Sequence, residues 1–344
     1  MAAPLALVSA NMTAARIGHS STLLPDGRVL IAGGSPVPFD PLGDQSGFLT
    51  SMEIFDPATE AFYPCLKTDG SPATIIGTPG DGGTPQGRAG HAAVLLDSGL
   101  VLFLGGGPST TETFNPVTGE SVVVGNLPGI SQEMTAFNVG GGKVLTYGHN
   151  NTLVYPPMLI DTTTWAATIL TTDPHLLGPT DAIYTACSPA SVLLQNGRVM
   201  VSGGSPAFIP DPTGAPVSIF VAYHSAGVSQ NDVSMFDSTT ATFVHVGSML
   251  QARTGHTMID LGNGTVQIYG GYADSVAHPG TGTPLTSVEI FNYASKTSPI
   301  PLNTSVKVGD LIGGKYLMES VLLQNGFAAA VQSGAWQSGL ACVR

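Results

Sequence analysis

Four basic residues of this chain share one position in a repeated phrase, eleven residues before a turn glycine. They are Arg16, Arg88, Arg253 and Lys315. Because equivalent positions of a repeat protein recur at one structural location, we predict that these side chains surround a channel mouth and bind a ligand. Guanidinium groups form charge-assisted hydrogen bonds, so a carboxylate or phosphate on the ligand is expected. In the alternative interpretation, each arginine bonds backbone carbonyls between neighbouring repeats.

Three histidines also stand at equivalent positions, three residues after an arginine: His19, His91 and His256. Imidazole is the commonest metal ligand in proteins. However, these histidines belong to separate repeats, and no other ligand type clusters with them in the sequence. We therefore predict structural histidines bonded between repeats, with no metal site and no cofactor.

The repeated phrase consists of a short apolar run, a Gly-containing turn, a second apolar run and Gly-Gly. Clear copies lie at 16–34, 88–107, 186–204 and 253–271, with weaker copies at 131–149 and 315–334. Turns such as Pro-Asp-Gly supply the positive φ that hairpins need. A third run ends in Asp or Asn, as in Phe55-Asp56, and a fourth run follows. Four antiparallel strands per repeat predict an all-β fold, a β-propeller.

The repeats align on six turn glycines, which are Gly27, Gly99, Gly142, Gly197, Gly264 and Gly326. We therefore predict one six-bladed domain over 1–344, with units at about 12–65, 87–129, 130–170, 182–247, 251–300 and 311–344. After Gly326 there is sequence for only two more strands. Residues 4–11 are predicted to supply the missing outer strand of the last blade, which would close the ring without a free edge.

The pattern R-x-G-H-S-x-x-x-L-x-D-G-R-V-x-x-x-G-G resembles the kelch repeat, as found in kelch proteins and in the central domain of galactose oxidase. The resemblance covers nearly the whole chain. In kelch adaptor proteins that recognise acidic peptides, arginines in an R-x-G context contact the ligand. The resemblance implies that role for Arg16, Arg88 and Arg253, whereas Lys315 matches by position alone.

A second resemblance concerns Tyr223-His224-Ser225, which is similar to the Tyr-His-Ser of copper radical oxidases. Those enzymes hold copper with two Tyr, two His and a Cys. The positions that should match are Cys187-Ser188, which supply neither Tyr nor His. No copper cofactor is predicted.

Composition narrows the classes of partner. The chain has a net charge of −12 and only 10% charged residues, so it lacks the basic stripe of a nucleic-acid-binding protein. No apolar run approaches the ~18 residues of a membrane span. The three cysteines cannot all pair with one another and show no zinc spacing. Residues 1–15 have no basic segment of a signal peptide, so the protein is cytosolic or a leader lies outside this numbering.

Strand alternation places the long insertions at one end of the blades. They span 35–50, 64–87, 205–232 and 272–286. Long loops on a rigid scaffold are where recognition usually occurs. We therefore predict an interaction module that binds a protein, peptide or glycan there. The alternatives are an enzyme that acts on a sugar or small acid at the same mouth, and a structural module of an extracellular assembly.

Overall fold

The fold is all-β and of the β-propeller type, as predicted. The computed structural model describes residues 11–37, 47–77, 85–127, 133–149, 154–170, 189–204, 230–275, 278–311, 319–322 and 328–331. Within these ranges the regular secondary structure consists of β-strands. None of the described segments forms a helix that is long and apolar enough to cross a membrane.

Five antiparallel sheets of four strands, the blades, are formed in chain order. Blade 1 contains β1 (Ser20–Leu23), β2 (Val29–Ala32), β3 (Met52–Asp56) and β4 (Ala61–Pro64). Blade 2 contains β5 (Ala92–Leu95), β6 (Val101–Leu104), β7 (Thr110–Asn115) and β8 (Glu120–Asn126). Blade 3 contains β9 (Glu133–Asn138), β10 (Lys143–His149), β11 (Val154–Asp161) and β12 (Ala167–Ile169).

The last two blades follow the same plan. Blade 4 contains β13 (Ala190–Leu193), β14 (Val199–Ser202), β15 (Asp232–Asp237) and β16 (Thr242–Ser248). Blade 5 contains β17 (Thr257–Asp260), β18 (Thr265–Tyr269), β21 (Ser287–Asn292) and β22 (Thr304–Asp310). A hairpin of β19 (Tyr272–Ser275) and β20 (His278–Pro284) is inserted in blade 5. The four strands of each blade are called a, b, c and d below.

Burial decreases from strand b to strand d. Strand b of blade 2, VLFL, has every side chain buried, because neighbouring blades pack on both faces of a blade. In strand d of the same blade, β8, most side chains are partly or fully exposed, and Val122 is 56% exposed. The apolar runs of the repeated phrase are therefore the centre of each blade, and its polar fourth strand is the outer edge.

Tight turns close the strands as the sequence predicts. In blade 1 the N–H of Gly27 donates to Leu24 O (3.0 Å), and Gly27 has a φ of +87°. Between strands c and d, Asp56 Oδ1 accepts from the N–H of Ala58 at 2.8 Å. The residue before strand d, Glu60, has a φ of 52°. The aspartate thus replaces a backbone acceptor in the turn.

The predicted number of six blades is wrong for the described residues, which form five four-stranded blades. The sixth repeat appears as a two-stranded sheet of β23 (Glu319–Leu322) and β24 (Ala328–Val331), and β23 lies beside β17. A hairpin needs only local contacts, whereas strands c and d of this repeat were predicted to come from opposite ends of the chain. The predicted closing segment 4–11 lies outside the described residues except for Asn11, and ring closure stays a prediction.

The chain divides into two compact units. The first contains blades 1 to 3 apart from the start of β11, and the second contains blades 4 and 5 with β23 and β24. In the first unit, Leu30, Phe103 and Phe114 belong to one apolar cluster between blades 1 and 2. In the second, Met200 and Phe291 belong to a cluster between blades 4 and 5. The core of each unit therefore lies between blades.

The link from blade 1 to blade 2 is partly a core element. Ala73 and Ile75 are buried in the cluster between these blades, and the N–H of Ile75 donates to Thr50 O at 2.8 Å. Ser121 Oγ donates to Thr74 O at 2.8 Å from the other side. Residues 64–87 are predicted to be a recognition loop, but the part of this link up to Gly77 packs between blades 1 and 2.

Replacing Ile75 with Ala should lower the free energy of unfolding by about 2–5 kcal/mol, because removal of this buried side chain leaves a cavity between blades 1 and 2. The matched change Leu66→Ala lies in the same link but removes a half-exposed side chain. It should cost less than about 1 kcal/mol. Urea denaturation of both variants measures the difference. Equal losses of unfolding free energy in the two variants would show that the link does not stabilise the contact between the blades.

Candidate functional site at the Gly-Gly end of the blades

The two ends of each blade differ in what they carry. At one end strand b finishes, with Gly-Gly in blades 1, 2, 4 and 5. The b–c connection and the link that enters strand a lie at this same end, because adjacent strands are antiparallel. We call it the Gly-Gly end and call the opposite one, with the a–b and c–d turns, the turn end. The predicted arginines stand at the Gly-Gly end.

Arg88 is completely buried within blade 2. Its Nη1 donates to Gly105 O at 2.7 Å and to Pro108 O at 3.4 Å. Its Nη2 donates to the carbonyl and hydroxyl oxygens of Thr110 at 2.7 and 2.9 Å. Its Nε donates to Glu112 Oε1 at 3.4 Å. All the N–H groups of this guanidinium therefore have acceptors. We call the arrangement the Arg–Glu clasp.

Blade 1 contains the same clasp. Arg16 Nη1 donates to Gly33 O and Ser51 O, both at 2.8 Å. Its Nη2 donates to Ser51 Oγ at 2.9 Å and to Glu53 Oε1 at 2.7 Å, and its Nε also donates to Glu53 Oε1, at 2.9 Å. Both charged side chains are 1% exposed. The ion pair is thus removed from water with every polar group satisfied, as a buried pair requires.

Blade 5 repeats the clasp with Arg253. Its Nη1 donates to Gly270 O at 2.6 Å, and its Nη2 donates to Ser287 Oγ at 2.8 Å. The same Nη2 donates to Glu289 Oε1, and both side chains are almost completely buried. The acceptors therefore occupy equivalent positions in blades 1, 2 and 5.

Each clasp glutamate also holds the link that enters its blade. Its carboxylate accepts backbone N–H groups, as in the pairs Thr13 to Glu53 (2.7 Å), Gly77 to Glu112 (2.9 Å) and Leu250 to Glu289 (2.8 Å). Strand b, strand c and the incoming link are thus tied together at one charged centre. For Glu53, burial alone raises the pKa, but the hydrogen bonds from Thr13 and Arg16 outweigh it and lower the pKa.

The backbone of the clasp arginine joins its blade to the preceding one. The N–H of Gly34 in blade 1 donates to Arg88 O at 2.7 Å, and the N–H of Gly204 in blade 4 donates to Arg253 O at 2.9 Å. Gly33 has a φ of +64°, and a Cβ there would lie 2.5 Å from Arg88 O. Only glycine permits this approach. The repeated Gly-Gly is therefore an inter-blade contact.

These contacts show that the arginines predicted to bind a ligand have a structural role inside their blades. The structure places Arg16, Arg88 and Arg253 inside their blades, bonded to carbonyls as the alternative interpretation has it, although within a blade rather than between blades. Burial lowers the pKa of Arg88, and Glu112 opposes that shift. Lys315 lies outside the described residues. Ligand binding by these four side chains stays a prediction, for which the described contacts supply no exposed guanidinium.

Sequence reasoning missed the clasp glutamates. A signal was present: the c strands of these three blades read SMEIFD, TTETFN and SVEIFN, which share [ST]-x-E-x-F-[DN]. The c strands of blades 3 and 4 lack the glutamate, and their repeats lack the arginine. Buried Met158 takes the glutamate position in blade 3, and buried Ser234 takes it in blade 4. Arginine and glutamate thus occur together or not at all.

Two of the three histidines, His91 and His256, connect blades as predicted, whereas for His19 the described contacts include no such bond. His91 of blade 2 shares a hydrogen bond with Ser20 of blade 1, with 2.8 Å between Nε2 and Oγ. His256 of blade 5 shares one with Ser202 of blade 4 at the same distance. Burial lowers the pKa of His91 to about 3, with Arg88 and His19 adding to the shift. Burial also holds the pKa of His256 well below its ordinary value.

These serine–histidine pairs lack the further parts of a nucleophilic centre. Ser202 and His256 are buried, and no carboxylate in the described ranges bonds Nδ1 of His256. A catalytic pair needs an orienting group on that nitrogen and access to substrate. In the described part of the chain, no three His, Cys, Asp or Glu side chains are placed to hold a metal ion.

A small cavity at blade 1 contains the described cysteine. A cavity of about 160 Å³ lies at the turn end of blade 1, lined in part by Arg28, Asp56 and Tyr63. Cys65 also lines it, and burial raises the pKa of this thiol to about 11, which keeps it protonated and unreactive. Tyr223-His224-Ser225 and Cys187-Ser188 lie outside the described residues.

Comparison with known proteins adds no relative. No protein-family model matches this chain, and no curated protein is detectably similar to it. The assignment to the kelch family therefore rests on the repeated phrase and is taken up below as a proposal.

Replacing Arg88 with Met should lower the free energy of unfolding by about 3–5 kcal/mol, because Glu112 is left as a buried charge without a partner. The double variant Arg88→Met/Glu112→Gln should lose less, since Gln removes that charge and still accepts a hydrogen bond from the link. Lys67→Met, in the partly exposed pair with Glu120, should cost less than about 1 kcal/mol. Urea titrations measure the free energy of unfolding of each variant. A double variant less stable than Arg88→Met would contradict the prediction.

The stability of the protein should fall on acidification. A histidine whose pKa is lowered by folding stays neutral in the native state while the unfolded chain binds a proton below pH ~6.5. His91 alone should therefore cost about 1.4 kcal/mol per pH unit from there towards pH 3. In His91→Gln this contribution disappears, so the stability–pH slope should be shallower by that amount. Ser20→Ala is the control: it removes the hydrogen bond at every pH and should leave the slope unchanged.

Proposed function

We propose that this protein is an interaction module that binds a protein, peptide or glycan ligand at the Gly-Gly end of its blades. One observation carries the proposal, which is the contrast between the two ends. The described connections of the turn end are short except for 293–303 in blade 5, whereas at the Gly-Gly end β14 ends at Ser202 and β15 begins only at Asp232. Long connections on a rigid scaffold are the usual position of binding residues.

The base of these connections is held firmly. In blade 5 the inserted hairpin starts from a bridge between Thr254 and Tyr272, and it ends where the N–H of Leu285 donates to Gly271 O at 2.8 Å. In blade 4 the N–H of Gln230 donates to Gly204 O at 2.7 Å. Both connections therefore leave from backbone that the Gly-Gly contacts fix, which lowers the entropic cost of presenting a binding surface.

The family belongs to the same proposal. The repeated phrase supports a kelch-type propeller. The sixth copy of the phrase contributes the described hairpin β23–β24, which lies beside β17. If the repeated phrase only stabilises the blades, the ligand is bound by the connections between strands.

The test replaces residues 206–229 with a short Gly-Ser linker and compares binding with the wild-type protein. Ligands are first selected with the wild-type protein from a peptide-display library and a glycan array. The linker variant should lose at least tenfold in affinity for the selected ligand. The control replaces 294–299, in the c–d turn of blade 5, and should bind normally. Undiminished binding by variants with shortened b–c connections would overturn the proposal.

A further inference from the structure

The clasp is a cradle for a guanidinium group, and its acceptors can be defined by position. The first is the carbonyl of the first glycine of Gly-Gly, and the second is the residue that opens strand c, through its carbonyl and side-chain oxygens. The third lies two residues further on in strand c. In blade 2 these are Gly105, Thr110 and Glu112.

Blade 4 has the backbone of this cradle. Ser234 pairs with Val201 across strands b and c, just as Glu53 pairs with Ile31 in blade 1. The N–H of Gly203 donates to Asp232 O at 3.0 Å, which repeats the bond from Gly33 to Ser51 in blade 1 (3.2 Å). The three acceptor positions of blade 4 are therefore Gly203, Asp232 and Ser234.

The sequence of blade 4 has no arginine at the position that would reach these acceptors. In the aligned sequence Ala186 stands at the arginine position and Pro189 at the histidine position. The negative charge is still present but has moved two residues along strand c, from the glutamate position to Asp232 at the opening of the strand. The side chain of Asp232 is 37% exposed, and its Oδ1 lies 4.0 Å from His245 Nδ1.

The Ser234 hydroxyl also indicates that blade 4 binds a ligand. Its oxygen is buried and has no hydrogen-bond partner among the described residues. A buried hydroxyl without a partner is destabilising, so such a group needs an explanation. A serine on the strand position where a clasp glutamate meets its arginine is placed to accept a hydrogen bond from a guanidinium.

We propose that blade 4 binds the guanidinium of an arginine side chain supplied by a peptide or protein ligand, which completes the clasp in trans. This inference rests on the proposed function, since the cradle lies at the Gly-Gly end beside the longest b–c connection. The planar fork of arginine matches several acceptors at once, which a lysine ammonium does not. The net charge of −12 favours the approach of a basic ligand.

The probe is N-acetyl-arginine amide, and its neutral isostere N-acetyl-citrulline amide is the control ligand. The intact wild-type protein should bind the arginine probe saturably in titrations followed by NMR, and it should not bind the citrulline probe. Asp232→Asn should weaken binding about tenfold or more, as expected for the loss of a charge-assisted hydrogen bond. Asp237→Asn, at the other end of the same strand, should leave binding unchanged.

Two further variants test whether the acceptors of the cradle are responsible for arginine binding. Arg88→Ala removes the arginine from the blade 2 cradle while keeping Gly105, Thr110 and Glu112, so it should gain a second site for the arginine probe. Ala186→Arg/Ser234→Glu supplies a complete clasp to blade 4 in cis and should abolish the wild-type site. This double variant should also raise the midpoint of thermal unfolding.

Failure of the wild-type protein to bind the arginine probe overturns this inference, whatever the Arg88→Ala variant does. Equal binding of the arginine and citrulline probes, or unchanged binding by Asp232→Asn, overturns it as well. The proposed function fails separately, through the replacement of 206–229 and its effect on selected ligands. A protein that keeps those ligands at the Gly-Gly end but ignores arginine would retain its function as a binding module and lose only the assigned chemistry.

Discussion

A guanidinium group removed from water needs a counter-charge and acceptors for its N–H groups. Blades 1 and 2 meet this requirement completely, whereas in blade 5 the Nε of Arg253 has no partner among the described residues. Burial of an ion pair carries a desolvation cost that only good geometry and complete hydrogen bonding offset. In blade 2 the carbonyl after strand b, the opening of strand c and a glutamate provide both. Because these groups come from separate segments, satisfying one charge fixes the relative position of all of them.

The same constraint explains why the repeated phrase has its particular residues. The glycines allow a carbonyl of the next blade to approach, the arginine ties strands b and c, and the histidine reaches a serine one blade earlier. A change in one member leaves another buried and unsatisfied. This is consistent with blade 3, where the charged residues are absent together and buried Met158 occupies the glutamate position. Apolar packing of similar volume can replace a buried ion pair without loss of stability.

The residues that stabilise the blades are therefore different from those expected to bind a ligand. The most repeated residues hold the blades, so the features that differ between blades are the better guide to function. Blade 4 differs most: it lacks the clasp, follows a link outside the described residues and carries the longest b–c connection. Its unpaired Ser234 and its carboxylate at Asp232 are departures from the pattern of blades 1, 2 and 5. Departures of this kind are expected at functional positions.

Much of the fold was determined by the sequence itself. Apolar runs of strand length, turn glycines and the closing Asp or Asn of strand c specify hairpins through local interactions, and these predictions agree with the described strands. Strand parity likewise placed the long connections at one end. The role of the arginines was decided only by the tertiary structure, because Arg88 and Glu112 stand 24 residues apart and meet through packing. Whether a guanidinium faces solvent or a buried carboxylate depends on contacts between distant segments, which residue type and spacing do not encode.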